Sequence, residues 1–204
     1  MRVALACSAV TLAAGLALVE AFDDDELSRI VAVLDVDPGE AFADVGAGDG
    51  RFSVGLAKAV GPTGRIYANE VDPADVRKIR DRVAQEELAN VNVVTGSQTS
   101  TELPDACCEG ILLRRVYHHF QNPAAMQASM RKALKDGGLL LVIDFGTKRH
   151  WSRPEGVPSS REGHGIDRDL LVQELESAGF ELVKEEDWEG DDYAFLFRAV
   201  SRRP

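Results

Sequence analysis

From residue 22 onward, the hydrophobic positions along the chain repeatedly change period. Short continuous or alternating apolar runs give way to stretches in which apolar residues return every three or four positions. The first pattern reads as strand and the second as helix. Leu27, Ile30, Val31 and Leu34 share one helical face behind Asp23-Asp-Asp-Glu26, whose charges suit a helix N-terminus. Asp37-Pro-Gly39 ends that helix with a turn. The pattern then predicts a strand over 42–45, a helix over 51–60, a strand over 65–70 and a helix over 73–87. Strands over 91–95 and 108–115 follow, then a helix over 123–134 that stops at Asp136-Gly-Gly138 and a strand over 139–145. A looser stretch, 146–165, precedes a helix over 168–178 and two closing strands over 180–186 and 193–200.

Strands that alternate with helices imply a parallel sheet covered on both faces. The last two strands are separated only by a short turn containing Glu189-Gly-Asp-Asp192, so they should pair as an antiparallel hairpin. Residues 1–21 follow another rule. Arg2 is the sole charge before Glu20, and the run between them is dominated by Ala, Leu and Val. This reads as a signal peptide or an uncleaved signal anchor, with an apolar helix packed on the domain as the alternative. The expected organisation is therefore a leader over 1–21 and one domain over 22–204. The expected location is the secretory pathway, the periplasm or a membrane surface, with the cytoplasm as alternative.

Composition narrows the partners. Of 204 residues, 45% are hydrophobic and 28% charged, which excludes a disordered chain. The net charge of −11 argues against a groove that tracks phosphates, so no nucleic-acid partner is expected. The three cysteines, Cys7, Cys107 and Cys108, show no metal-ligand spacing, and the adjacent pair reads as buried thiols.

The chemistry gathers at Ala41-Phe-Ala-Asp-Val-Gly-Ala-Gly-Asp-Gly-Arg-Phe52. Asp44, Gly46, Gly48 and Gly50 form D-x-G-x-G-x-G between a strand and a helix. A dinucleotide turn, G-x-G-x-x-G, would need a small residue where Arg51 stands. The stretch instead resembles motif I of the class I S-adenosylmethionine-dependent methyltransferases. Leu103-Pro-Asp through Tyr117-His-His-Phe120 is similar to a segment of the small-molecule and quinone-type members, and the resemblance covers about residues 36–146. It implies a Rossmann-like three-layer α/β sandwich, with a seven-stranded, mostly parallel sheet and an antiparallel last strand.

The same resemblance implies roles. Asp44, Gly46, Ala47, Gly48 and Gly50 would cradle S-adenosylmethionine. Glu70 would accept the ribose hydroxyls, and Val71 would pack on the adenine. Ser97 stands where many members carry aspartate, so Ser97, Gln98 or a backbone group would contact the adenine edge. Arg114, or its neighbour Arg115, would lie near the methionine carboxylate, with a surface or structural arginine as the alternative. His118 and His119 are the candidate bases for an acceptor proton, with a structural role for the pair as the alternative. No metal set is expected, because adjacent histidines do not readily share one ion. Residues 147–164 would form a lid over a small-molecule or lipid-like acceptor. A non-catalytic S-adenosylmethionine-binding protein and, further off, a NAD(P)-dependent oxidoreductase are the competing functions.

Overall fold

Seven strands form one sheet in the computed structural model, which describes residues 24–200. The leader expected over 1–21 lies outside the described residues. Among those described, no helix is long and apolar enough to cross a membrane. The strands are β1 (Ala41–Val45), β2 (Arg65–Glu70), β3 (Val91–Thr95), β4 (Cys108–Arg114), β5 (Leu134–Phe145), β6 (Phe180–Asp187) and β7 (Asp192–Ala199). Their order is β3-β2-β1-β4-β5-β7-β6. The first five pair in parallel, and β7 runs antiparallel to both β5 and β6. The expected α/β sandwich with an antiparallel last strand is the fold observed.

Among the described residues five α-helices cover the sheet: α1 (Asp24–Val33), α2 (Arg51–Val60), α3 (Pro73–Gln85), α4 (Pro123–Ala133) and α5 (Arg168–Ser177). Side chains that alternate along each strand divide the core. Ile111 and Leu113 of β4 pack with Met126 and Met130 of α4 and Leu171 and Leu175 of α5. Leu112, between them, packs on the other face with Ile30 of α1, Leu34 just after it, and Leu56 and Val60 of α2. Strands buried on both faces explain why the sequence shows continuous apolar runs rather than clean alternation.

Two local expectations change. Residues Asp136-Gly-Gly138, read as a helix end, lie within β5. Leu134 already pairs with Cys108, and the register shifts before Gly110 meets Leu139. Gly137, at φ +75°, absorbs the irregularity. Cys107 and Cys108, read as separate thiols, are joined as a vicinal disulfide at the start of β4.

Glu26 fastens α1 to the rest of the domain. It accepts from Arg114 Nε at 2.9 Å and Nη2 at 3.0 Å, from Arg51 Nη2 at 3.1 Å and from Trp188 Nε1 at 3.2 Å. Burial pushes its carboxyl up. The hydrogen bonds from Arg114 and Trp188 and the charges of Arg114 and Arg51 outweigh that, so it titrates below the ordinary glutamate range. A depressed carboxyl contributes stability above its unfolded pKa and loses it as pH falls through the folded value. Glu26→Gln is expected to destabilise the domain by about 1–3 kcal/mol at neutral pH, since it leaves a buried charged donor set under-satisfied. In urea titrations the gap between variant and wild type should close on acidification below the glutamate range. An undiminished gap in acid would show that the ion pairs are not the cause.

Candidate functional site

The site opens where the strand order reverses, between the carboxyl ends of β1 and β4, the usual position for ligands in open α/β sheets. At the end of β1 the N–H groups of Gly46 and Ala47 both donate to the Asn69 carbonyl of β2, each at 2.9 Å. At the end of β4 the Arg115 N–H donates to Ile143 of β5 at 2.7 Å. The two exits are thus drawn apart. A cleft of ≈ 450 Å³ lies there, lined by Gly46, Glu70, Val71, Ser97 and Gln98 on one side and by Arg115, His119, Phe120, Met126 and Pro154 on the other.

Glycine is required at the first turn position. Gly46 has φ +73°, and a Cβ there would overlap the side chain of Val116. Gly48, at φ +57°, faces open space, and its N–H donates to Glu70 Oε2 at 3.0 Å. The other oxygen of Glu70 accepts from Val71 N–H at 2.6 Å and Asp72 N–H at 3.3 Å. Asp72 then caps α3 by accepting from Ala74 and Asp75, ahead of Pro73 at the first helical position. The carboxylate is therefore held at the crest of the glycine turn by the backbone on either side. Arg82 of α3 adds a tether to that turn, donating to the Asp49 carbonyl at 2.8 Å and carboxylate at 2.7 Å.

The remaining expected residues separate into groups. Asp44 lies under the turn, buried, where it accepts from Ser53 of α2 at 2.6 Å. Burial pushes its carboxyl up to about 6 against the pull of the Ser53 hydrogen bond, and the charge of Glu70 adds to the rise. Ala47, Gly48 and Gly50 shape the turn without entering the cleft lining. Val71, 37% exposed, offers an apolar wall on the cleft side. Ser97 lines the cleft while its hydroxyl accepts from Ser100 N–H at 3.1 Å, and Gln98 stands beside it.

Of the two arginines after β4's apolar run, Arg114 turns away from the cleft. Its guanidinium is committed to Glu26 and lies outside the cleft lining. Successive residues at a strand end point to opposite faces. The cleft position belongs to Arg115, which pairs with the buried Asp192 at 2.8 Å.

The histidine pair is split in the same way. His118, 1% exposed, points inward. Its Nδ1 lies 2.7 Å from Asp144 Oδ1, and its N–H donates to Asp144 Oδ2 at 3.2 Å. His119 faces the cleft. Partial burial and the neighbouring His118 and His164 hold its pKa down to about 4, so the ring is neutral at physiological pH. Both belong to a 3-10 turn, Tyr117–His119, that no sequence periodicity marked. The Tyr117 hydroxyl donates to Glu174 of α5 at 2.7 Å, and Glu174 also receives Arg161 Nη2 at 2.6 Å. The predicted lid is thereby fastened to α5. Pro154 and Glu155 from it line the cleft, and its His164 reaches His118, with 3.1 Å between their Nε2 atoms.

The arrangement answers to a known family. Residues 43–142 match the model of the methyltransferase domain. A crystal structure of an S-adenosylmethionine-dependent methyltransferase from Aquifex aeolicus superposes with TM-score 0.74 at 21% identity, covering 86% of this chain and 90% of that one. The chain belongs to the class I S-adenosylmethionine-dependent methyltransferases. Over 115 residues the chain is 34% identical to a 37.1 kDa protein of transposon TN4556 from Streptomyces fradiae, covering 56% of this chain and 33% of that protein. Over the same length it is 26% identical to the ubiquinone/menaquinone biosynthesis C-methyltransferase UbiE of Burkholderia cenocepacia, covering 47% of that protein. The chain thus spans from a third to about half the length of these relatives. The cyclase SpnF also shares the fold, with TM-score 0.71 at 16% identity, covering 87% of this chain and 81% of that one.

The residues present fit the family's cofactor. A carboxylate stands at the end of β2, an exposed apolar wall follows it, and Gly48 at the crest of the turn faces open space. Asp44 supplies a test of this end of the site. Its raised pKa means that the folded state takes up a proton as pH falls through about 6, and the unfolded state does so only near 3.8. Wild-type stability should therefore decline as pH rises from about 4 to 6 and level off above. Asp44→Asn, which can still accept from Ser53, should lack this decline and compare best with wild type at pH 8. Parallel pH profiles of the two proteins in chemical denaturation would refute the assignment.

Proposed function

We propose that this methyltransferase transfers a methyl group to a small, largely apolar acceptor. The observation that carries the reading is a single cleft with two unlike ends, Glu70 and Val71 at one and His119 and Phe120 at the other. S-adenosylmethionine, when bound, supplies a methyl group already activated on a sulfonium. Glu70 offers two carboxylate oxygens to the ribose hydroxyls, and exchange of its present backbone partners for ligand is local, since all three flank the turn. Val71 gives the adenine an apolar face, and Ser97 or Gln98 a hydrogen bond at its edge. Asp44, enclosed against Ser53, shapes the turn from beneath.

At the other end Val116, Phe120, Met126 and Pro154 form apolar walls, with Arg115, His119 and Gln121 placed among them. Such walls with a few polar groups suit a small ring or a lipid-like head. The name of the UbiE relatives is consistent with a quinone-type acceptor. His119 contacts the acceptor in this reading, and His118, held by Asp144, positions the turn that carries it. Alignment and exclusion of water supply most of the acceleration, because the donor needs no further activation.

Thermal denaturation with S-adenosylmethionine and S-adenosylhomocysteine tests the site. Saturation about 100-fold above Kd should add about 2.7 kcal/mol of stability. Glu70→Ala should remove most of the shift while the unliganded midpoint stays near wild type. Absence of a wild-type shift with both ligands would overturn the reading. A shift without methyl transfer to any hydroxylated aromatic or quinol acceptor would instead support a non-catalytic binding protein, or other chemistry on this fold.

A further inference from the structure

Three imidazoles converge at the acceptor end of the cleft. One ring nitrogen from each of His118, His119 and His164 lies within 4.8 Å of the other two. The sequence gives little sign of this, because His164 arrives from the lid 46 residues beyond His118. The 3-10 turn also overcomes the objection to neighbouring histidines, since it sets the rings of His118 and His119 with centroids 4.1 Å apart.

The His118 ring is oriented from behind. Asp144 is fully buried and accepts from the N–H groups of His118 and Phe145, at 3.2 and 2.9 Å, as well as facing His118 Nδ1. The tautomer that donates from Nδ1 to that carboxylate carries its lone pair on Nε2, which lies 3.1 Å from His164 Nε2. Metal-bound histidines have this carboxylate–imidazole arrangement, which fixes the tautomer and raises ligand basicity. Four-coordinate zinc with bonds of about 2.0–2.1 Å places its ligand nitrogens roughly 3.3 Å apart. The His118–His164 pair is already near that edge length. Phe145 and Trp151 pack against His164, with centroids 5.7 and 5.9 Å away, and give the cluster an apolar surround.

We propose that His118, His119 and His164 bind one first-row divalent cation of the zinc type, with Asp144 as the outer partner that orients His118. Three protein ligands leave a fourth position for water or an acceptor oxygen. His119 is the ligand that faces the cleft, so this position belongs at the acceptor end. The ion would also join the lid to the turn after β4, at the point where Lys148 and His164 already form an antiparallel bridge. The competing arrangement is a plain N–H···N hydrogen bond between His164 and His118, with no ion.

Titration of the tag-free, chelator-treated full chain with Co²⁺ separates the two. The proposal expects one ion per chain, visible ligand-field bands of a four-coordinate nitrogen site, bleaching by Zn²⁺, and a higher unfolding midpoint with metal. His164→Gln, on a surface segment, and His119→Gln should each weaken binding by more than about tenfold, a loss that removal of an outer partner alone can cause. His150→Gln, outside the cluster, should bind as wild type does. Absence of bands from the wild-type protein, or bands that survive both substitutions, would overturn the proposal. Because the readout is the metal itself, its failure leaves the S-adenosylmethionine reading standing, and the reverse also holds.

Discussion

The cleft exists because β1 and β4 pair along their length and then part. Phe42–Val45 run in register with Gly110–Leu113, yet the next N–H groups bond in opposite directions, toward Asn69 of β2 and toward Ile143 of β5. The N–H groups of Gly46, Ala47 and Arg115 each keep a backbone partner across the separation, which lowers the cost of opening a gap at the carboxyl ends of the two strands. Val116 closes the bottom of the gap by packing on Gly46 so closely that only glycine fits. Any Cβ at Gly46 would push the two exits apart and move both the glycine turn and the histidine turn.

From that junction the chain distributes consecutive side chains to different parts of the molecule. Arg114 turns to Glu26 and so to α1, and Arg115 to Asp192 at the start of β7. Tyr117 reaches α5 through Glu174, and His118 reaches the end of β5 through Asp144. Extended backbone sends neighbours to opposite faces, and the following 3-10 turn rotates each later residue by about a third of a circle. Four residues within the stretch 114–118 therefore tie four elements together, and the cleft wall they form is correspondingly fixed. The lid is tied to the same wall through Arg161 and His164.

How much could be read in advance depends on the range of the interaction. The helix over 51–60 and the strands over 65–70 and 91–95 appear with the expected bounds, because strand and helix periods are local. The glycine turn and Glu70 were legible for a related reason. They are strand-end features, 22 residues apart, brought together by one β-α-β unit. Arg114 and Arg115 could not be told apart in advance, because the partner of Arg114 lies 88 residues away and nothing local favours one arginine of the pair over its neighbour. The early start of β5 was hidden by Asp136-Gly-Gly138, which reads as a helix stop and serves as an irregularity within a strand. His164 sits in a segment without periodicity, so no pattern could join it to His118.

The two ends of the cleft differ in what they ask of the sequence. The cofactor end is made of backbone N–H groups, one carboxylate and one apolar wall, and these follow from strand, turn and cap. The acceptor end is made of side chains from three separated segments, so its chemistry is set by their proximity. His119 shows the consequence. Partial burial, together with the neighbouring His118 and His164, holds its pKa down to about 4, whereas a phenolic hydroxyl titrates at about 10. Proton transfer from such a hydroxyl to His119 is uphill by several orders of magnitude, so His119 is a weak general base however well it is placed. An acceptor that reaches the sulfonium already ionised, or is made acidic where it binds, needs no help from such a base. A cation held by the same imidazoles would do the latter, since coordination lowers the pKa of a bound oxygen. The burial and crowding that weaken His119 as a base leave its lone pair free to serve as a ligand.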